Sequence, residues 1–167
     1  MGHSVGAELA VKLVSEHESL FTRAVFLSPW VTSSEKSAKL YSSMARLTHR
    51  SVKNAKLLRM QANYWGYTAE QTEKLVAYSA NIPLETYVSF FQKRIQLREL
   101  SGYPAVTIPM LAMCARGETA EMKASVRALG EQNTNCLTVI FPKGSHDFVL
   151  RCSDLLNPLL MDFLTQS

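Results

Sequence analysis

The sequence predicts an α/β fold in which a parallel sheet is covered by helices and interrupted by a long helical insertion. Three observations carry that prediction. Short continuous apolar runs at residues 23–27, 109–115 and 136–141 alternate with amphipathic stretches, the pattern of buried parallel strands joined by helices. Residues 33–100 keep helical spacing and carry no strand signal. The chain of 167 residues is 47% hydrophobic and 19% charged, with seven Gly and six Pro, which excludes a disordered or collagen-like chain and sets the size of one ordinary domain.

Each element has a local reason. Residues 5–17 read as a helix with Leu9, Leu13 and Val14 on one side. Residues 23–27 form a short, partly β-branched strand closed by Ser28 and Pro29. Four helices fit the middle: Leu40, Met44 and Leu47 hold helical spacing, and Thr68 with Gln71 three later makes a capping box opening a helix to about Tyr78. After Pro83, placed in a first turn, Leu84, Val88, Phe91 and Ile95 form another stripe. Residues 109–115 are then a strand, 119–129 a helix ended by Gly130, 136–141 a strand and 149–164 a closing helix. The expected divisions are 1–32, 33–100 and 101–167.

Composition narrows the function classes. The best apolar run, residues 108–115, is far below the roughly 20 residues of a spanning helix. Glu8, Lys12 and Glu16 break the apolar positions that a secretion signal would need. Cys114, Cys136 and Cys152 are odd in number, widely spaced and without a CxxC pattern, so they read as reduced core residues and the cytoplasm as the expected compartment. The net charge of +4 is concentrated in Lys36, Lys39, Arg46, Arg50, Lys53, Lys56 and Arg59. That stripe reads first as a solvated helical face and second as attraction for an anionic substrate or membrane surface. No recognition motif accompanies it, so nucleic acid is not an expected partner. No cofactor motif or metal cluster stands in the sequence, and none is expected; the oligomeric state is open.

The chemistry-bearing residues are few. Gly2, Ser4 and Gly6 form G-x-S-x-G directly before a helix. A nucleophilic serine there needs a sharp, strained turn, and glycines two before and two after leave room for the backbone crossing. A serine hydroxyl also needs a base, and that base needs a carboxylate to orient it. His17 and His49 lie in polar helical stretches and read as surface residues, and His3 lies within the turn itself. His146 follows a strand in a Gly-containing loop, which delivers an imidazole to the carboxyl edge of the sheet. Glu118 closes the strand before it, Glu121 one turn into the next helix is the rival, and Asp147 adjoins His146 too closely to orient its ring.

The order Ser4, Glu118, His146 is that of an α/β-hydrolase triad. Gly2-His3-Ser4-Val5-Gly6-Ala7 resembles the nucleophile elbow of lidded esterases and lipase-like members of that family. Residues 108–118 resemble the strand that ends in its acid, and Gly144-Ser145-His146-Asp147-Phe148 resembles its histidine loop. Many relatives place a glycine three residues before the acid, where this chain has Ala115, with its glycine at Gly117.

The resemblance implies a serine hydrolase, with carboxylic-ester hydrolysis through an acyl-enzyme, the Val5 N–H as one oxyanion donor, and residues 33–100 as a helical lid. Trp30 and His3 are candidate substrate contacts for a small ester-like molecule. Aromatic and Met side chains of the lid, among them Tyr41, Met44, Trp65 and Phe91, serve either substrate choice or lid packing. Relatives carry several strands before the elbow and a loop giving a second oxyanion donor, so the sequence is expected to be the lid and C-terminal part of a larger hydrolase. Thioester, lactone and cofactor-free haloperoxidase chemistry share this fold and remain alternatives, as does a non-catalytic interaction module.

Overall fold

A computed structural model describes residues 1–166 and divides into two compact units, Met1–Ser33 with Ile95–Ser167, and Ser34–Arg94. The first unit holds a four-stranded sheet in the order β1-β2-β3-β4, with β1 at Gly2–His3, β2 at Ala24–Leu27, β3 at Met110–Ala115 and β4 at Cys136–Phe141. All neighbours are parallel, with Gly2 opposite Phe26, Ala24 opposite Met110, and Met110 opposite Cys136. Helix α1 (Val5–Glu16) joins β1 to β2, and a helix at Ala120–Gln132 joins β3 to β4.

Period-two alternation assigns the strand residues to two cores. Phe26, Met110, Ala112 and Cys114 pack with Ala7, Val11, Val14, Val126 and Leu129 on one face. Val25, Leu27, Leu111, Met113 and Ala115 pack on the other with Phe148, Leu156, Leu160 and Phe163. Each Val, Leu, Phe or Met among them contributes roughly 1.5–3 kcal/mol on leaving water, which is why β2 and β3 read as unbroken apolar runs.

The second unit contains α2 (Glu35–Val52), α3 (Ala55–Trp65), α4 (Ala69–Ala80) and α5 (Leu84–Gln92). Its helices begin where caps allow. Ser34 accepts from the Ser37 N–H, Asn54 from those of Lys56 and Leu57, and Thr68 with Gln71 forms the expected capping box. Gly66 ends α3 at φ 76°, where only glycine is unstrained. Arg59 donates two hydrogen bonds to Glu73, at 3.0 and 3.1 Å, tying α3 to α4.

Several expectations need correction. The buried residues of α1 are Ala7, Glu8, Val11 and Val14, and Leu9 is 51% exposed, because spacings of four and three turn Ala7, Val11 and Val14 onto the sheet. Leu40, Met44 and Leu47 are exposed while Ser42 and Ala45 are buried on α2. The basic stripe spans α2 and α3 with Lys53 as the cap between them, so it is not one helical face. Pro83 is an N-cap and Ile95 lies past the end of α5. Residues 95–100 belong to the first unit, where Leu97 donates its N–H to the Val31 carbonyl at 2.8 Å and packs in the core.

At the C-terminal side, α6 (Ala120–Gln132) runs through Gly130. A Cβ there would stand 2.5 Å from Thr138 Cγ2, so the glycine lets the helix approach β4 and does not end it. The closing helix is two, α7 (Phe148–Arg151) and α8 (Ser153–Thr165), broken at the half-buried Cys152. β4 is not covered on both faces: Leu137 is 60% exposed, as suits a strand with one neighbour in the described sheet. His49 is half-buried, its Nε2 2.9 Å from the Ile82 carbonyl.

Candidate active site

Ser4 lies between β1 and α1 with φ 56° and ψ −123°, a region that non-glycine residues occupy only when their surroundings hold them there. Its N–H donates to the Leu27 carbonyl at 2.9 Å, and its own carbonyl accepts from Ala7 and Glu8 at 2.9 and 3.2 Å. The chain is thereby fixed on both sides of the turn. A Cβ on Gly2 would lie 2.1 Å from the Gly6 carbonyl oxygen, whereas one on Gly6 would meet nothing within 4 Å. Only the first glycine is sterically required, which corrects the expectation that both are. Val5 is the first residue of α1, where helix N–H groups have no intrahelical acceptor.

The structure brings Ser4, His146 and Glu118 together. His146 Nε2 is 2.9 Å from Ser4 Oγ, and its Nδ1 is 3.2 and 3.3 Å from the two oxygens of Glu118. An ionised carboxylate only accepts, so the ring proton sits on Nδ1 and Nε2 is left to accept from the serine hydroxyl. Glu118 is 7% exposed. Burial pushes its carboxyl up, but hydrogen bonds from His146 and Ser28, with electrostatic attraction to the His146 and His3 rings, outweigh burial and hold it below the ordinary glutamate value.

The loops carrying the acid and the base are joined through their backbones. Gly117 N–H donates to the Gly144 carbonyl at 3.0 Å, and a Cβ on Gly117 would stand 2.6 Å from that oxygen. This close approach gives the displaced glycine its reason. Gly144 itself has φ 77°, and the turn it makes delivers His146.

The other candidates fall as follows. His3 donates through Nε2 to the His146 carbonyl at 3.0 Å, with ring centroids 4.9 Å apart. Burial lowers its pKa first and electrostatic interaction with His146 lowers it further, against the hydrogen bond to the His146 carbonyl and the charge of Glu118, which raise it. That nitrogen is therefore engaged with the histidine loop. Trp30 follows β2 and is 5% exposed. Glu121 lies in the first turn of α6, and Asp147 accepts from Ser145 Oγ at 2.8 Å.

Sequence reasoning missed Ser28, which donates to Glu118 Oε1 at 2.5 Å. The available signal was its position, the first polar residue after a strand that neighbours the acid-bearing one. Among the described residues no group of three or more His, Cys, Asp or Glu is placed to hold a metal ion, and no helix is long and apolar enough to cross a membrane.

No family model and no curated protein matches this sequence. Solved structures do. The enol-lactonase from Burkholderia xenovorans LB400 aligns over 99% of this chain with a TM-score of 0.72 at 20% identity. The chain has an α/β-hydrolase fold. An α/β hydrolase enzyme from a Medee basin deep-sea metagenome library gives 0.73 at 14% identity, and an esterase from Exiguobacterium antarcticum 0.72 at 13%, each over 99% of this chain. This hydrolase-fold chain spans 64% of the length of the first two and 65% of the third.

Proposed function

We propose that the chain carries the nucleophile, base and acid of a serine hydrolase acting on small carboxylic esters. The supporting observation is the unbroken relay from Ser4 Oγ through His146 to Glu118, at 2.9 and 3.2 Å, at the carboxyl ends of parallel strands. His146 Nε2 takes the hydroxyl proton as Ser4 Oγ attacks the ester carbonyl carbon. Glu118 stabilises the imidazolium so formed. The tetrahedral oxyanion faces the first N–H groups of α1, with Val5 as donor. Collapse breaks the bond to the alcohol, which leaves with the proton from Nε2, and an acyl-Ser4 remains. Water then gives a proton to His146, attacks the acyl carbon and releases the acid, while Ser4 recovers its proton.

His3 serves this reading by holding the His146 loop, and the helices of Ser34–Arg94 serve as its lid. A lactone is a cyclic ester opened by the same attack, and the likeness to an enol-lactonase favours including lactones among the substrates tried. We place the protein in a reducing compartment, in keeping with its three free cysteines.

The chain is expected to react covalently with a fluorophosphonate probe and to hydrolyse short aryl esters. Ser4→Ala should abolish labelling, and Glu118→Gln should slow turnover by roughly 10,000-fold, as loss of a triad carboxylate does elsewhere. Equal labelling of the wild type and Ser4→Ala would sink the assignment.

A further inference from the structure

Among the described residues two non-glycine positions have positive φ, Ser4 at 56° and Ser28 at 51°. They stand at the ends of adjacent strands. Ser4 N–H continues the ladder to Leu27 of β2 at 2.9 Å, and Ser28 N–H continues the next ladder to Met113 of β3 at 2.7 Å. A left-handed serine is uncommon and persists only where the surroundings over-determine it. At Ser4 the bend presents the nucleophile. The proposed triad makes no use of the second.

Ser28 is completely buried. Its Oγ lies 2.5 Å from Glu118 Oε1, the same oxygen that is 3.2 Å from His146 Nδ1. Since the carboxylate has no proton to give, Ser28 donates. One glutamate oxygen is thus held from two sides, by the His146 imidazole and by a hydroxyl anchored to the sheet. A buried carboxylate with only the histidine would be free to turn about its terminal torsion, which has a broad energy profile. Buried as it is, it would also be left short of donors.

We infer that Ser28 is a positioning residue for the proposed triad, its left-handed backbone aiming a buried hydroxyl at Glu118 so that the carboxylate stays ionised and faces His146. This rests on the serine-hydrolase reading, in which Glu118 orients the base. The titratable groups acting on Glu118 are His146 and His3, and Cys114 feels its charge in turn. Burial drives the glutamate toward its neutral form, and the Ser28 hydrogen bond is one of the interactions opposing that drive.

The test uses the full chain with Ser28→Ala, which deletes the hydroxyl, and Ser28→Gly, which deletes it while removing the backbone strain. Carboxyl-labelled glutamate followed by NMR, with Glu118→Gln to assign the signal, should show the Glu118 titration moving to higher pH in both variants. Fluorophosphonate labelling of Ser4 should slow by roughly 10-fold, the effect of losing one hydrogen bond to a charged group. An unmoved Glu118 titration overturns the inference even if labelling slows, because a purely structural serine would slow labelling without touching the carboxylate. Loss of the fold in both variants also overturns it, making Ser28 a folding residue. Undiminished labelling of Ser4→Ala would instead defeat the hydrolase reading, and the Glu118 titration would still report on Ser28.

Discussion

At the scale of single residues, the two glycines of the elbow separate what a motif implies from what sterics require. Gly2 faces the Gly6 carbonyl so closely that a Cβ would stand 2.1 Å from the oxygen, and the atom met is backbone, which cannot swing aside. Gly2→Ala should therefore destabilise the protein by about 1–3 kcal/mol, as overpacking does, and displace Ser4 from His146. Gly6 is exposed, lies in the first turn of α1, and has open space around a built Cβ. Gly6→Ala should be neutral or stabilising by up to about 1 kcal/mol, since alanine is the better helix former. Urea unfolding of the pair checks the contrast, and a larger loss in Gly6→Ala would show that the crossing is tight at the wrong glycine. The motif was legible because a fixed spacing of Gly, Ser and Gly suffices to state it. The unequal demand on its two glycines was not, since it depends on which backbone atoms the turn brings together.

At the scale of elements, the reach between acid and base is set by two loops that follow β3 and β4. They are joined by a backbone bond from the Gly117 N–H to the Gly144 carbonyl, over a surface too close for any side chain at Gly117. Gly117→Ala should push the loops apart by enough to lengthen the Glu118–His146 contacts, and a displacement of about 1 Å at a catalytic pair costs on the order of 100-fold in rate. Labelling rate and unfolding midpoint, measured together, should show reactivity falling well before stability does; a parallel loss of both would mean that the loop bond is needed for folding. The strands themselves were legible because burial on both faces leaves continuous apolar runs, as at 110–115. Where burial is one-sided or local the sequence misled: Gly130 looked like a helix end, yet it is an interior gap filled by Thr138. Cys152 breaks a stretch whose apolar spacing is uninterrupted. Ser28 escaped notice for a related reason, because its partner lies 90 residues away and no local pattern marks the bond.

At the scale of the whole molecule, three titrating groups of the sheet-bearing unit act on stability in the same direction. The folded protein holds His3 below the ordinary histidine value of 6.5, chiefly through burial. It holds Glu118 below 4.5, although burial opposes this, through the His146 and Ser28 hydrogen bonds. Glu18 is also held below 4.5, first by the Thr107 hydroxyl and then by the Thr107 and Ile108 N–H groups, which fix the segment entering β3 to the turn that follows α1. In each case the unfolded chain binds the proton more tightly, so acidification favours unfolding. The histidine contribution is present above pH 6.5 and is lost as pH falls through and below that value, while the two glutamate contributions survive to about pH 4.5 and are lost below it. Urea midpoints should therefore decline in two stages from about pH 7.5 to pH 3. His3→Gln, which keeps a donor for the His146 carbonyl but cannot be protonated, should flatten the first stage and leave the second. Glu18→Gln should shrink the second and leave the first, because the amide oxygen still accepts while the proton-linked part is gone. A decline of unchanged shape in both variants would assign the acid sensitivity to the remaining carboxylates and sever it from these two anchors.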